Sequence, residues 1–132
     1  MIRLAVTNVY VDDQAKALAF YTGMLGFVVK RDIPVGPARW LTVVAPDDPD
    51  GVEILLEPNQ SAIATAYQSA LYEAGLPSHT VFITDDIKAQ HARMVDAGVT
   101  FTMNPTMMGP ATQAVFDDTC GNLIMLLQVD QD

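Results

Sequence analysis

The side chains with the widest chemical reach in this chain are two histidines, His79 and His91, and one cysteine, Cys120. His79 stands in "PSHTVFITDD", just ahead of an alternating apolar run that reads as a β-strand. An imidazole there can hold a metal ion, exchange a proton near neutral pH, or hydrogen-bond within a polar bend. Spacing alone assigns it no partner acid or nucleophile. His91 falls at helical intervals with Ile87, Met94 and Val95, which predicts a core or boundary position on a helix. Cys120 lies in "FDDTCGN", where a reactive thiolate would need positive neighbours that the stretch does not supply, so a structural role is expected.

These residues sit in a pattern that occurs twice. From Val9, "VYVDDQAKALAFYTGMLGF" alternates apolar residues, reaches paired aspartates and switches to helical spacing, with Ala15, Leu18, Ala19, Thr22 and Leu25 on one side. Asp12 or Asp13 can cap that helix, since a short carboxylate accepts the unpaired amides of the first turn. From Val81, "VFITDDIKAQHARMVDAGVTF" repeats the order, with Asp85 and Asp86 as the paired aspartates and Gly98 as terminator. Strand-like segments follow each glycine: "FVVKRDIPV", "ARWLTVVAP" and "GVEILLEP" first, then "VTFTMNP", "ATQAVFDD" and "NLIMLLQV". Each half therefore reads as strand, helix and three strands. Residues 1–58 form the first module and 78–130 the second. Residues 61–75 form a connecting helix with Ile63, Tyr67, Ala70, Leu71 and Ala74 on one side.

The chain has 132 residues, half of them apolar, enough for one domain with a real core. One cysteine excludes an internal disulfide framework and a cysteine-rich zinc cluster, which fits a reducing compartment, so a cytoplasmic location is expected. No apolar run is long enough to cross a bilayer, and the N-terminus lacks a signal-peptide pattern. Sixteen acidic against seven basic side chains give a net charge of −9, which opposes binding to phosphates. Nucleic acid and anionic membrane are poor partners for such a chain.

The segments "AFYTGMLGF", "DAGVTF" and "DDTCGNL", together with the internal repeat, resemble the vicinal oxygen chelate superfamily over nearly the whole chain. That superfamily includes glyoxalase I, bleomycin resistance proteins and extradiol dioxygenases. The resemblance implies an α+β fold in which two βαβββ modules form curved mixed sheets around a cleft. It implies a homodimer as well. Metal-binding members hold their ion at positions that correspond here to Val6 and Leu55 in the first module and His79 and Met125 in the second, with Glu53 or Glu57 as neighbours that a slip of register would bring in.

Val6 and Leu55 donate nothing, and the thioether of Met125 suits soft ions. Catalytic zinc typically keeps three protein ligands, whereas His79 with Glu53 or Glu57 makes two. No metal or other cofactor is therefore expected. The expected function is a metal-free protein that binds a small organic molecule in an apolar cleft, of sequestration or resistance type. The alternative is a divalent-metal lyase, isomerase or dioxygenase using His79 and one glutamate, with His79 also a candidate general acid or base. The period of two puts Leu4, Val6, Asn8 and Tyr10 on one cleft wall and His79, Val81 and Ile83 on the other, joined by Leu123, Met125 and Leu127. Trp40 and the methionines Met103, Met107 and Met108, in a loop-like stretch with Pro105 and Gly109, are further ligand-binding candidates.

Overall fold

The computed structural model describes residues 1–129, so Asp130 at the end of the second module lies outside the described residues. Each half has the expected order. The first runs β1 (Val6–Val11), α1 (Gln14–Gly23), β2 (Val28–Val35), β3 (Ala38–Val44) and β4 (Glu53–Pro58). After α2 (Ala62–Glu73), the second runs β5 (Val81–Ile83), α3 (Ile87–Asp96), β6 (Phe101–Met108), β7 (Ala111–Asp117) and β8 (Leu123–Val129). Two four-stranded mixed sheets result, in the orders β1-β4-β3-β2 and β5-β8-β7-β6. In each, the strand before the helix pairs in parallel with the last strand of its module, and the other pairings are antiparallel.

Local sequence explains the helix ends. Asp13 accepts from the Lys16 amide and Asp86 from the Ala89 amide, both at 3.1 Å, so the second aspartate of each pair is the cap. Gly98 takes φ 99°, which lets the Val99 amide reach back to Met94 O at 2.9 Å and close α3.

One core joins both modules. Val9, Val11, Leu41 and Leu56 from the first sheet pack through Ala17, Phe20 and Tyr21 of α1 against Ile87, Met94, Phe116 and Ile124. The structure differs from expectation in all three helices and in one loop. In α1 the buried residues are Ala17, Phe20 and Tyr21, with Leu18 and Leu25 beside them, while Ala15 and Ala19 are exposed. The aromatic pair outweighs the alanines because it removes far more apolar surface from water. In α3, Ile87 and Met94 are buried and His91 is half-buried as expected, but Val95 is exposed.

In α2 the buried residues are Ala64 and Gln68, and Ile63 stands 81% exposed. Hydrogen bonding decides that orientation: the Gln68 amide donates to Tyr10 O, Cys120 O and Asn122 Oδ1. A polar side chain with that many buried partners holds the helix against a preference of its apolar residues. The methionine-rich stretch, expected as a loop, is strand β6 at the edge of its sheet. Its register shifts between Phe101 and Met103 and again between Met103 and Thr106, around Pro105, as befits an edge strand carrying a proline.

Candidate functional site

The sheets have two faces, and alternation sorts the candidate residues. Val9, Val11, Ile54 and Leu56 point to the helices and the core. Val6, Asn8 and Tyr10 point the other way and pair with Glu53, Leu55 and Glu57 of β4, so all six share the open face. In the second module Val81 pairs with Met125 and Ile83 with Leu127 on the matching face. Ser78 N donates to Leu123 O at 2.8 Å, which extends that pairing toward His79. His79 lies two residues before β5 begins.

The glutamates next to the old ligand positions are already engaged. Glu53 Oε1 accepts from Thr42 Oγ1 at 2.7 Å and from Arg31 Nε at 3.2 Å. Glu57 Oε1 accepts from Asn8 Nδ2 at 3.2 Å. His79 Nδ1 and Tyr67 Oη of α2 are 2.6 Å apart. Among the described residues, no three His, Cys, Asp or Glu side chains converge as a metal site would require. The residues present do not fit the divalent ion that the superfamily's chelating members hold.

The free edges of β1 and β5 face each other without pairing. Instead, side chains cap the outward carbonyls of β1: Thr80 Oγ1 donates to Asn8 O at 3.1 Å, and Gln68 and Asn122 both donate to Tyr10 O. This satisfies the edge and leaves a gap between the modules. Two cavities with His79 in common occupy it. The smaller, about 160 Å³, is lined by Asn8, Tyr10, Tyr67, Gln68 and Asn122 as well as His79. The larger, about 480 Å³, is lined by His79 and Thr80 with apolar Leu4, Phe27, Ile54 and Val81, and by Asp48.

The other candidates are not gathered there. Met103 and Met125 line a separate hollow of about 530 Å³ beneath the C-terminal end of α2, near Tyr72 and Leu76. Trp40, Met107 and Met108 are exposed, with Trp40 on β3 and the methionines at the far end of β6. Val6 is exposed at the start of β1. What sequence reasoning missed was Tyr67: it was placed on a packed face of α2, whereas it turns out to the imidazole.

A second polar cluster, absent from the candidate set, lies in the core. Asp118 Oδ2 accepts from Tyr21 Oη at 2.7 Å and Asn122 Nδ2 at 2.8 Å, and Oδ1 accepts from the amides of Cys120 and Asn122. Burial raises the Asp118 pKa above its ordinary value although these bonds pull it down. Burial and the neighbouring carboxylate push the Tyr21 phenol well up. Burial likewise drives the Cys120 thiol to about 12, which makes it inert, as expected of a structural cysteine. The turn that builds this cluster needs Gly121 at φ 99°, and a Cβ there would come within 2.8 Å of the Gln68 amide.

Residues 3–126 match the sequence profile of the Glyoxalase/Bleomycin resistance protein/Dioxygenase superfamily. A Bacillus subtilis (strain 168) protein, YurT, is 51% identical over 127 residues, covering 96% of this chain and 99% of its own. Among solved structures, UcmS2 has a TM-score of 0.82 at 34% identity, with 96% of this chain and 98% of that one covered. TnmS3, an antibiotic binding protein from Streptomyces sp. CB03234, has a TM-score of 0.76 at 26% identity, with 98% of each chain covered.

Proposed function

From the premise that this chain belongs to the Glyoxalase/Bleomycin resistance protein/Dioxygenase superfamily, we propose that it binds a small organic molecule in the gap between its modules without a metal ion. The observation that carries this reading is the donor set. By the family resemblance Val6, Leu55 and Met125 correspond to three chelating positions, and Glu53 and Glu57 already accept bonds from neighbouring side chains. A mostly apolar cavity with a few convergent polar groups is the usual form of a small-molecule site. The similarity to TnmS3, an antibiotic binding protein, supports a sequestration role. With a net charge of −9, the protein favours neutral or cationic ligands over phosphates and CoA esters.

The working unit in this reading is a homodimer. Exposed Ile33, Val35, Trp40 and Met107 supply apolar surface for a second copy.

Elemental analysis of untagged protein, together with a thermal-shift screen of neutral and cationic aromatic compounds, tests the proposal. Substoichiometric metal, a melting temperature indifferent to chelator, and a ligand-dependent rise are expected. Stoichiometric zinc, nickel, iron or manganese that disappears in His79→Ala would overturn it in favour of a metal-dependent lyase, isomerase or dioxygenase.

A further inference from the structure

We infer that His79 is a specificity-determining hydrogen-bond donor whose tautomer is set by Tyr67, so that the cavity selects an apolar ligand bearing an acceptor oxygen, such as an aryl ketone. The inference deepens the small-molecule reading above and rests on it.

The argument starts from the pair itself. At 2.6 Å, Tyr67 Oη and His79 Nδ1 share one short hydrogen bond. A phenolic O–H is a stronger donor than a neutral imidazole N–H, and an unprotonated ring nitrogen is a stronger acceptor than a phenol oxygen. The phenol therefore donates to Nδ1, and the neutral ring carries its proton on Nε2. Among the described residues Nε2 has no hydrogen-bond partner.

Placement then gives that proton a role. Tyr67 lines the smaller cavity and not the larger, whereas His79 lines both. The ring thus spends its acceptor nitrogen on Tyr67 and keeps a donor for a ligand. Of the two threonines at the larger cavity, Thr80 has already committed its hydroxyl proton to Asn8 O, and Thr7 lines it from β1. Around the ring the larger cavity is lined by Leu4, Phe27, Ile54, Val81, Phe82 and Ile83, which fit a flat apolar body. Asp48 at the same cavity repels an anionic ligand and so favours a neutral carbonyl over a carboxylate.

Two measurements on the full chain test the inference. The first is nitrogen-proton correlation NMR of the His79 ring under conditions where it is neutral. The Nε2–H tautomer is expected, with a mixture of tautomers in Tyr67→Phe. A dominant Nδ1–H form in the unaltered protein would overturn the inference whatever the ligand.

The second compares 1-indanone with indane, which differ by a carbonyl, in an NMR titration. Indanone is expected to bind about 2- to 10-fold more tightly, the range of one net hydrogen bond. His79→Leu should remove or reverse that preference, and Tyr67→Phe should reduce it. Equal affinities in the unaltered protein, or a preference that survives His79→Leu, would overturn the donor role while leaving the apolar-site reading intact. Binding of neither compound would overturn both.

Discussion

Two polar clusters built on tyrosine, the one around Asp118 and the one at His79, differ in burial and in whether their hydrogen bonds close. Around Asp118, Tyr21, Asn122 and Gln68 lie in the interior, and no buried side-chain polar atom among the described residues lacks a partner. At His79 and Tyr67, both exposed, one ring nitrogen is left over. In the first cluster burial raises the pKa of Asp118 and of Tyr21, yet the cluster has nothing left to offer a ligand. A shifted pKa marks a functional site only when the group keeps unused bonding capacity, and here burial and structural cross-linking account for the shift. The closed cluster joins β1, α1, α2 and the turn before β8, so it holds the modules together. The open pair lies in the gap that results.

The sharpest way to break the comparison is to remove the hub of the closed cluster. Asp118→Ala leaves the Tyr21 hydroxyl, one of the two Asn122 side-chain amide hydrogens and two backbone amides without an acceptor, and should cost roughly 3–5 kcal/mol in urea unfolding. Gln68→Leu, which strips a donor from Cys120 O and Asn122 Oδ1, should cost about 2 kcal/mol by the same measurement. Gly121→Ala forces a side chain toward the Gln68 amide at a left-handed φ, and a loss of about 1–2 kcal/mol is expected.

A pH comparison sharpens it further. The Asp118 pKa is raised in the folded state, so the native protein binds this proton more tightly than the unfolded chain does. Its contribution to stability is fully present below the ordinary carboxyl value of 3.8 and is lost as pH rises through the folded value. The stability of the unaltered protein relative to Asp118→Asn should therefore be greater near pH 4 than near pH 7, read as paired urea midpoints. A gap that widens with pH would show that the hydrogen bonds outweigh burial.

The smallest effects belong to the open pair. His79→Leu and Tyr67→Phe should each change stability by less than about 0.5 kcal/mol, because exposed side chains away from special backbone positions rarely do more. A loss near that of Gln68→Leu would assign the pair a structural role and erase the contrast.

Much of the fold was legible in the residues. The repeat of alternating strand, aspartate pair, helix and glycine located ten of the elements, because period and capping are local properties. The resemblance carried by "AFYTGMLGF" and "DDTCGNL" supplied how the modules are built. The exposed sides of the helices were harder. Apolar spacing in α2 favoured Ile63 and Tyr67 as inward residues, but three acceptors on other segments draw Gln68 inward instead. The far half of β6, through Met107 and Met108, was similarly hidden, since proline and methionine weaken the strand signal that β7 pairing restores.

By itself, the sequence determined which side chains are available: two imidazoles, and Val6, Leu55 and Met125 at the positions that the family resemblance assigns to ligands. Residue identity and order are read directly from the chain, and strand alternation fixes which neighbours along a strand share a face. Tertiary structure alone decided what each polar group has left to give. Whether Glu53 is free or tied to Arg31, and whether His79 offers a donor or an acceptor, depends on neighbours 22 and 12 residues away in the chain. Hydrogen bonds are directional and saturable, so their outcome is settled only when distant segments meet.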